Sequence, residues 1–98
     1  EGAYVVRWLI QDQIAGAAAL RYDQADHAGK APLLLWGPYL WAAGTTPRKR
    51  DQLVWERRDF VADGTHPSAS GRQKVADRLR EFFREDPLAR TWYVKAPE

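Results

Sequence analysis

Two side chains able to move a proton stand close together in the stretch Asp63-Gly64-Thr65-His66-Pro67-Ser68. A neutral imidazole takes a proton from a hydroxyl only when its ring is held in one tautomer. A carboxylate hydrogen-bonded to Nδ1 holds it there and stabilises the imidazolium that forms. Asp63, three residues before His66, can do this from a single turn. Gly64 permits a tight reversal, Pro67 keeps His66 out of the helical region, and Ser68 or Ser70 can cap a helix beyond. The chemistry that suits this grammar is general-base catalysis at a hydroxyl, with His66 as the base and Asp63 as its orienting partner. The bare pair is not specific, because a capped turn beside a surface histidine has the same spacing.

The turn needs elements to hold it. Val6, Leu9, Ile10, Ile14 and Ala17 follow the spacing of one apolar helix face, which predicts a helix over about 3–14 with Gly16 as its stop and a further turn at 17–20. The polar stretch 21–30 reads as a solvated loop. Its Asp23, Asp26 and His27 show no recognised ligand spacing, even with Asp63 and His66 counted in, so no metal site is expected. Pro32 opens and Gly37-Pro38 closes the unalternating apolar run Leu33-Leu34-Leu35-Trp36. That run predicts a strand over about 32–36 buried on both faces, as in a parallel sheet covered by helices. Such a strand demands ladder partners, and the one further candidate, Leu53-Val54-Trp55, is weak. Residues 37–67 read as a long loop with a turn at Gly44-Thr45-Thr46-Pro47. A closing helix is expected over about 69–84, with Val75, Ala76, Leu79, Phe82 and Phe83 as its apolar stripe and Pro87 beyond its end. Arg72, Lys74, Arg78, Arg80, Glu81 and Arg84 form the wet face of that helix. Residues 91–94 are expected as a short extended piece, and Trp8 and Trp55 as core or edge packing.

A length of 98 residues allows one small domain at most. With 45% hydrophobic and 29% charged residues the composition is that of a globular chain, not a disordered one. The net charge is only +2, and Pro47-Arg48-Lys49-Arg50 is the sole basic cluster, so nucleic-acid binding is not expected. Absence of cysteine removes disulfides and thiolate metal sites and leaves the compartment open, secreted or periplasmic included. No apolar run approaches the roughly 20 residues of a membrane span. The chain starts at Glu1 and has no methionine, so it is expected to be part of a longer polypeptide.

Beyond the Asp-His pair, residues 59–83 resemble the terminal block of the SGNH (GDSL-type) serine hydrolases, in which an Asp-x-x-His-Pro sequence precedes the last helix. Asp63, His66 and Pro67 match that pattern. Ser68 and Gly71 fit its small-residue helix entry, and Val75, Ala76 and Leu79 fit its closing helix. Leu33-Leu34-Leu35-Trp36-Gly37-Pro38 looks like the last parallel strand that precedes the block in several members. The resemblance implies an α/β fold, the three-layer αβα flavodoxin-like architecture, of which residues 1–98 would be the C-terminal fragment of a single domain. It implies further that His66 is the general base and Asp63 its partner in hydrolysis of an acyl ester on a small molecule or a carbohydrate, without a cofactor. The family's nucleophilic serine, oxyanion-hole glycine and central asparagine have no matching motif in this chain. The expected partner is therefore the missing N-terminal part of the same domain, and the chain alone is expected to lack esterase activity.

Tyr39 and Trp41 would follow the carboxyl end of the expected strand, the edge where open α/β sheets bind ligands. They are candidate substrate-binding residues, with simple aromatic packing as the competing reading. Arg48-Lys49-Arg50 and Arg57-Arg58 could take an anionic substrate, although scattered surface charge is the commoner case. Two other functions stay open. One is a non-catalytic module whose tryptophan-rich loops bind a glycan or a protein. The other is a degenerate hydrolase that lacks the nucleophile and only binds.

Overall fold

Residues 2–22 and 29–96 are described in the computed structural model, in two units, Glu1–Trp36 and Gly37–Glu98. Asp23, Asp26 and His27 lie outside the described residues. In the first unit helix α1 runs over Gly2–Ile14, where the apolar spacing predicts a helix from about 3 to 14. Gly16 ends it at φ +87°, a conformation that costs glycine little, and a 3-10 turn follows at Ala18–Leu20.

Gln13 is the buried residue of α1. Its Nε2 donates to the carbonyls of Leu20 and Pro32 at 2.8 and 2.9 Å, and its Oε1 accepts from the Leu34 amide at 2.8 Å. One side-chain amide thus ties helix, turn and extended chain together. The apolar stripe around it stays largely open, with Val6, Leu9 and Ile14 exposed and Trp8, expected as core or edge packing, exposed as well. What approaches the helix here is backbone, which a glutamine can satisfy and a leucine cannot.

The run Leu33-Leu34-Leu35-Trp36 is not a strand. Among the described residues there is no β-strand, and Leu53-Val54-Trp55 is irregular too; the one bridge joins Phe60 and Pro67. The three-layer αβα flavodoxin-like fold is therefore overturned, and the described regular structure is helical. The physical reason is the missing ladder: a strand needs neighbours to take its amides and carbonyls, and without them the Leu34 amide goes to Gln13 instead. No helix among the described residues is long and apolar enough to cross a membrane.

The second unit is organised by helix α2, Ala69–Glu85, one residue beyond the expected 69–84. Ser68 caps it, its Oγ accepting from the Gly71 amide at 3.4 Å, and the chain leaves at Asp86, just before Pro87. Residues 91–94, expected as a short extended piece, are not one: Arg90–Tyr93 form the single turn α3. The Asp86 carboxylate closes the turn that precedes it, accepting from the amides of Leu88 and Ala89 at 2.9 and 2.8 Å. The rings of Trp92 and Tyr93 then pack 5.4 Å from Phe83 of α2.

Trp55 is 5% exposed and lies 5.5 Å from the Phe60 ring, with Lys74 Nζ 5.9 Å from its centroid. The polar face of α2 is thus not all wet, because the ammonium of Lys74 lies over a buried tryptophan ring. In the long loop, Arg48 closes the turn at 48–53. Its guanidinium pairs with Asp51, donates to the Trp41 carbonyl at 3.0 Å and lies 5.2 Å over the Tyr39 ring. The Arg48 hydrogen bond holds the Asp51 carboxyl down at about 2.

Candidate functional site

Asp63 and His66 form the tip of a narrow loop whose two sides are residues 59–61 and 66–68. The Val61 amide donates to the His66 carbonyl at 2.9 Å and the Ser68 amide to the Asp59 carbonyl at 2.8 Å, on either side of the Phe60–Pro67 bridge. Gly64, at φ +72°, makes the reversal and donates to the Val61 carbonyl at 3.0 Å. Arg57 braces one side from outside, its guanidinium reaching the carbonyls of Val61 at 2.8 Å and Ala62 at 2.9 Å. A 3-10 turn at Arg57–Asp59 leads into the loop, and α2 leads out of it.

At the tip Asp63 Oδ1 accepts from the amides of Thr65 and His66 at 2.8 and 3.0 Å, an aspartate turn that needs no help from elsewhere in the chain. Its Oδ2 meets His66 Nδ1 at 2.5 Å. The His66 hydrogen bond and those two amides hold the Asp63 carboxyl well below the usual range, and the same carboxylate raises the His66 pKa. An ionised carboxylate only accepts, so Nδ1 carries the proton and the lone pair of neutral His66 lies on Nε2. The His66 side chain is 77% exposed, and Nε2 has no hydrogen-bond partner among the described residues. This arrangement can take a proton from a group brought to Nε2 and return it.

The sequence has two serines, and neither is bonded to His66. Ser68 Oγ donates to the Arg58 carbonyl at 2.6 Å while capping α2. Ser70 Oγ donates to Asp59 Oδ1 at 2.8 Å. Tyr39 and Trp41 are exposed and share no hydrogen bond or ring contact with Asp63 or His66; both are engaged by Arg48. Among the described residues no group of three or more His, Cys, Asp or Glu could hold a metal ion.

No protein-family model, curated protein or solved structure matches the chain.

Below the tip lies a cluster that sequence reasoning missed. Asp59 is fully buried, and its Oδ2 accepts from the Glu56 amide at 2.8 Å and from Lys74 Nζ at 2.6 Å, while Oδ1 accepts from Ser70. The Glu56 amide, then Lys74 and Ser70, hold its carboxyl down at about 2 against the opposing effect of burial. Lys74 also donates to the Val54 carbonyl at 2.9 Å. The available signal was Ser70 and Lys74 at i and i+4, one face of a helix that begins three residues after His66. That spacing is too common to single out by itself.

Proposed function

We propose that Asp63 and His66 are the orienting carboxylate and the general base of a serine-type ester hydrolase, acting on acyl esters of small molecules or carbohydrates. The observation that carries this reading is the 2.5 Å contact between His66 Nδ1 and Asp63 Oδ2, with Nε2 left for a substrate-side proton. The likeness of residues 59–83 to the terminal block of SGNH hydrolases supports it. In the reaction Nε2 takes the proton of a serine hydroxyl as that oxygen adds to the ester carbonyl. The imidazolium then protonates the leaving alkoxide, and the same base activates water to release the acyl group. Since Ser68 and Ser70 are committed to the cap and to Asp59, the nucleophile and oxyanion donors come from polypeptide outside residues 1–98.

The 98-residue chain alone is expected to leave an aryl acetate unhydrolysed. The polypeptide extended upstream in its natural reading frame is expected to react with a fluorophosphonate probe and to turn the ester over. His66→Ala should lower that turnover by on the order of 10⁴-fold or more. Activity should rise with pH through the raised pKa of His66, because only the neutral ring is a base. Turnover that survives His66→Ala defeats the proposal, and an extended polypeptide inert to the probe points to the degenerate, binding-only form. A binding module draws its support from exposed aromatics, Trp41 at 70% and Trp92 at 66%. It predicts glycan or protein binding unchanged by His66→Ala.

A further inference from the structure

We infer that Asp59 is a positioning residue for the Asp63–His66 pair: its buried carboxylate clamps the neck of the 59–68 loop to helix α2. The inference rests on the reading of that pair as a catalytic base and its partner. The clamp joins three stretches at one side chain. Oδ2 takes the Glu56 amide before the loop and Lys74 Nζ from the second turn of α2, and Oδ1 takes Ser70 Oγ from its first turn. The backbone carbonyl of the same residue accepts the Ser68 amide and so forms the lowest rung of the neck, below the Phe60–Pro67 bridge and the Val61–His66 hydrogen bond.

The aspartate turn at the tip is local and would keep Asp63 near the His66 amide with the neck open. The contact between Oδ2 and Nδ1 asks for more, because the imidazole must also hold one rotamer while 77% of its side chain is in solvent. What limits His66 is its own backbone, fixed through its carbonyl to Val61 and, two residues on, through Ser68 to Asp59. A carboxylate is suited to the clamp because one buried group accepts from an amide, an ammonium and a hydroxyl at once, and its charge is matched by Lys74.

The test uses the 98-residue chain with Ser70→Ala and Asp59→Asn, and with Phe83→Leu as a packing change outside the clamp, where α2 meets Trp92 and Tyr93. Nuclear magnetic resonance of the His66 ring reads the Nδ1 proton and the pKa, and circular dichroism reads α2. In both clamp variants the downfield Nδ1 proton is expected to be lost and the pKa to fall back toward the ordinary histidine value of about 6.5. Helicity should persist in Ser70→Ala, and Phe83→Leu should leave His66 as it was. A helical Ser70→Ala variant with an unchanged His66 overturns the inference, whether or not Asp59→Asn folds. So does a Phe83→Leu variant that disturbs His66 as much as the clamp variants do. These readouts need no ester turnover, so an inert extended polypeptide would sink the hydrolase reading and leave the clamp standing. In an active one, Ser70→Ala should lower kcat by up to about 10²-fold with KM little changed, as misplacement of a base does.

Discussion

Asp63 uses both carboxylate oxygens within four residues, one on two backbone amides and one on His66 Nδ1. Fixing the carboxylate by backbone amides makes it a rigid partner for the ring and not a loose counter-ion. The consequence is a coupled shift. His66 has its pKa raised, so the stabilisation it draws from Asp63 is fully present below about 6.5 and is lost as pH rises through the folded-state value. Asp63 has its pKa lowered, so its share is present above about 3.9 and is lost as pH falls through its folded value. The window in which both partners are charged lies between the two. A titration of the His66 ring by nuclear magnetic resonance is expected to give a pKa above that of the same residue in urea, and Asp63→Asn is expected to abolish the difference. Equal values in folded and unfolded chain would mean that the pair does not form in solution.

Among the elements, α2 carries the site through its first two turns, where Ser68, Ser70, Gly71 and Lys74 all face the neck. Gly71 shows how closely the neck is packed. A Cβ placed on it would lie 2.0 Å from the Asp59 carbonyl oxygen and 3.0 Å from Pro67 Cβ. In an open helix Gly→Ala stabilises by about 1 kcal/mol. Here the obstacle is backbone, so α2 or the neck must shift, and overpacking of this kind costs about 1–3 kcal/mol. Gly71→Ala is expected to lower stability in a urea titration and to disturb the Ser68–Asp59 rung; a stabilised variant would show that the neck yields freely. Gly71 could be read from the sequence as a small residue at a helix entry. Its need to be glycine could not, because the atom it avoids belongs to a residue twelve positions earlier.

At the scale of the whole molecule the two units differ in how much they bury. Helix α1 leaves Tyr4, Val5, Val6, Trp8, Leu9 and Ile14 exposed and is held chiefly through Gln13, whereas α2 meets Trp55 and Asp59 through Lys74 and Ser70 and packs Phe83 on Trp92 and Tyr93. A 13-residue helix without a buried face is marginal in water. Amides of α1 are therefore expected to exchange with solvent faster than those of α2 in hydrogen-exchange mass spectrometry, and equal protection would require a burial of α1 that the structure lacks.

What the sequence determined by itself is what depends on near neighbours. Both long helices follow from apolar spacing and from capping by Ser68. The aspartate turn of Asp63 onto the amides of Thr65 and His66 follows from three residues of separation, a glycine and a proline, because a turn is closed by its own side chain. Tertiary structure decided whatever needs a partner far along the chain. The apolar run at 33–36 has the composition of a buried strand, yet pairing requires other strands, and it is extended chain tied to Gln13. The turn at 90–93 was decided by the Asp86 carboxylate, which closes the turn before it, and by Phe83, on which Trp92 and Tyr93 pack. Lys74 reads as solvated by its type and is drawn inward by a buried carboxylate fifteen residues away. Charge and hydrogen-bonding capacity are written in each residue, but desolvation is imposed by whatever packs around it, and that is known only once the chain has folded.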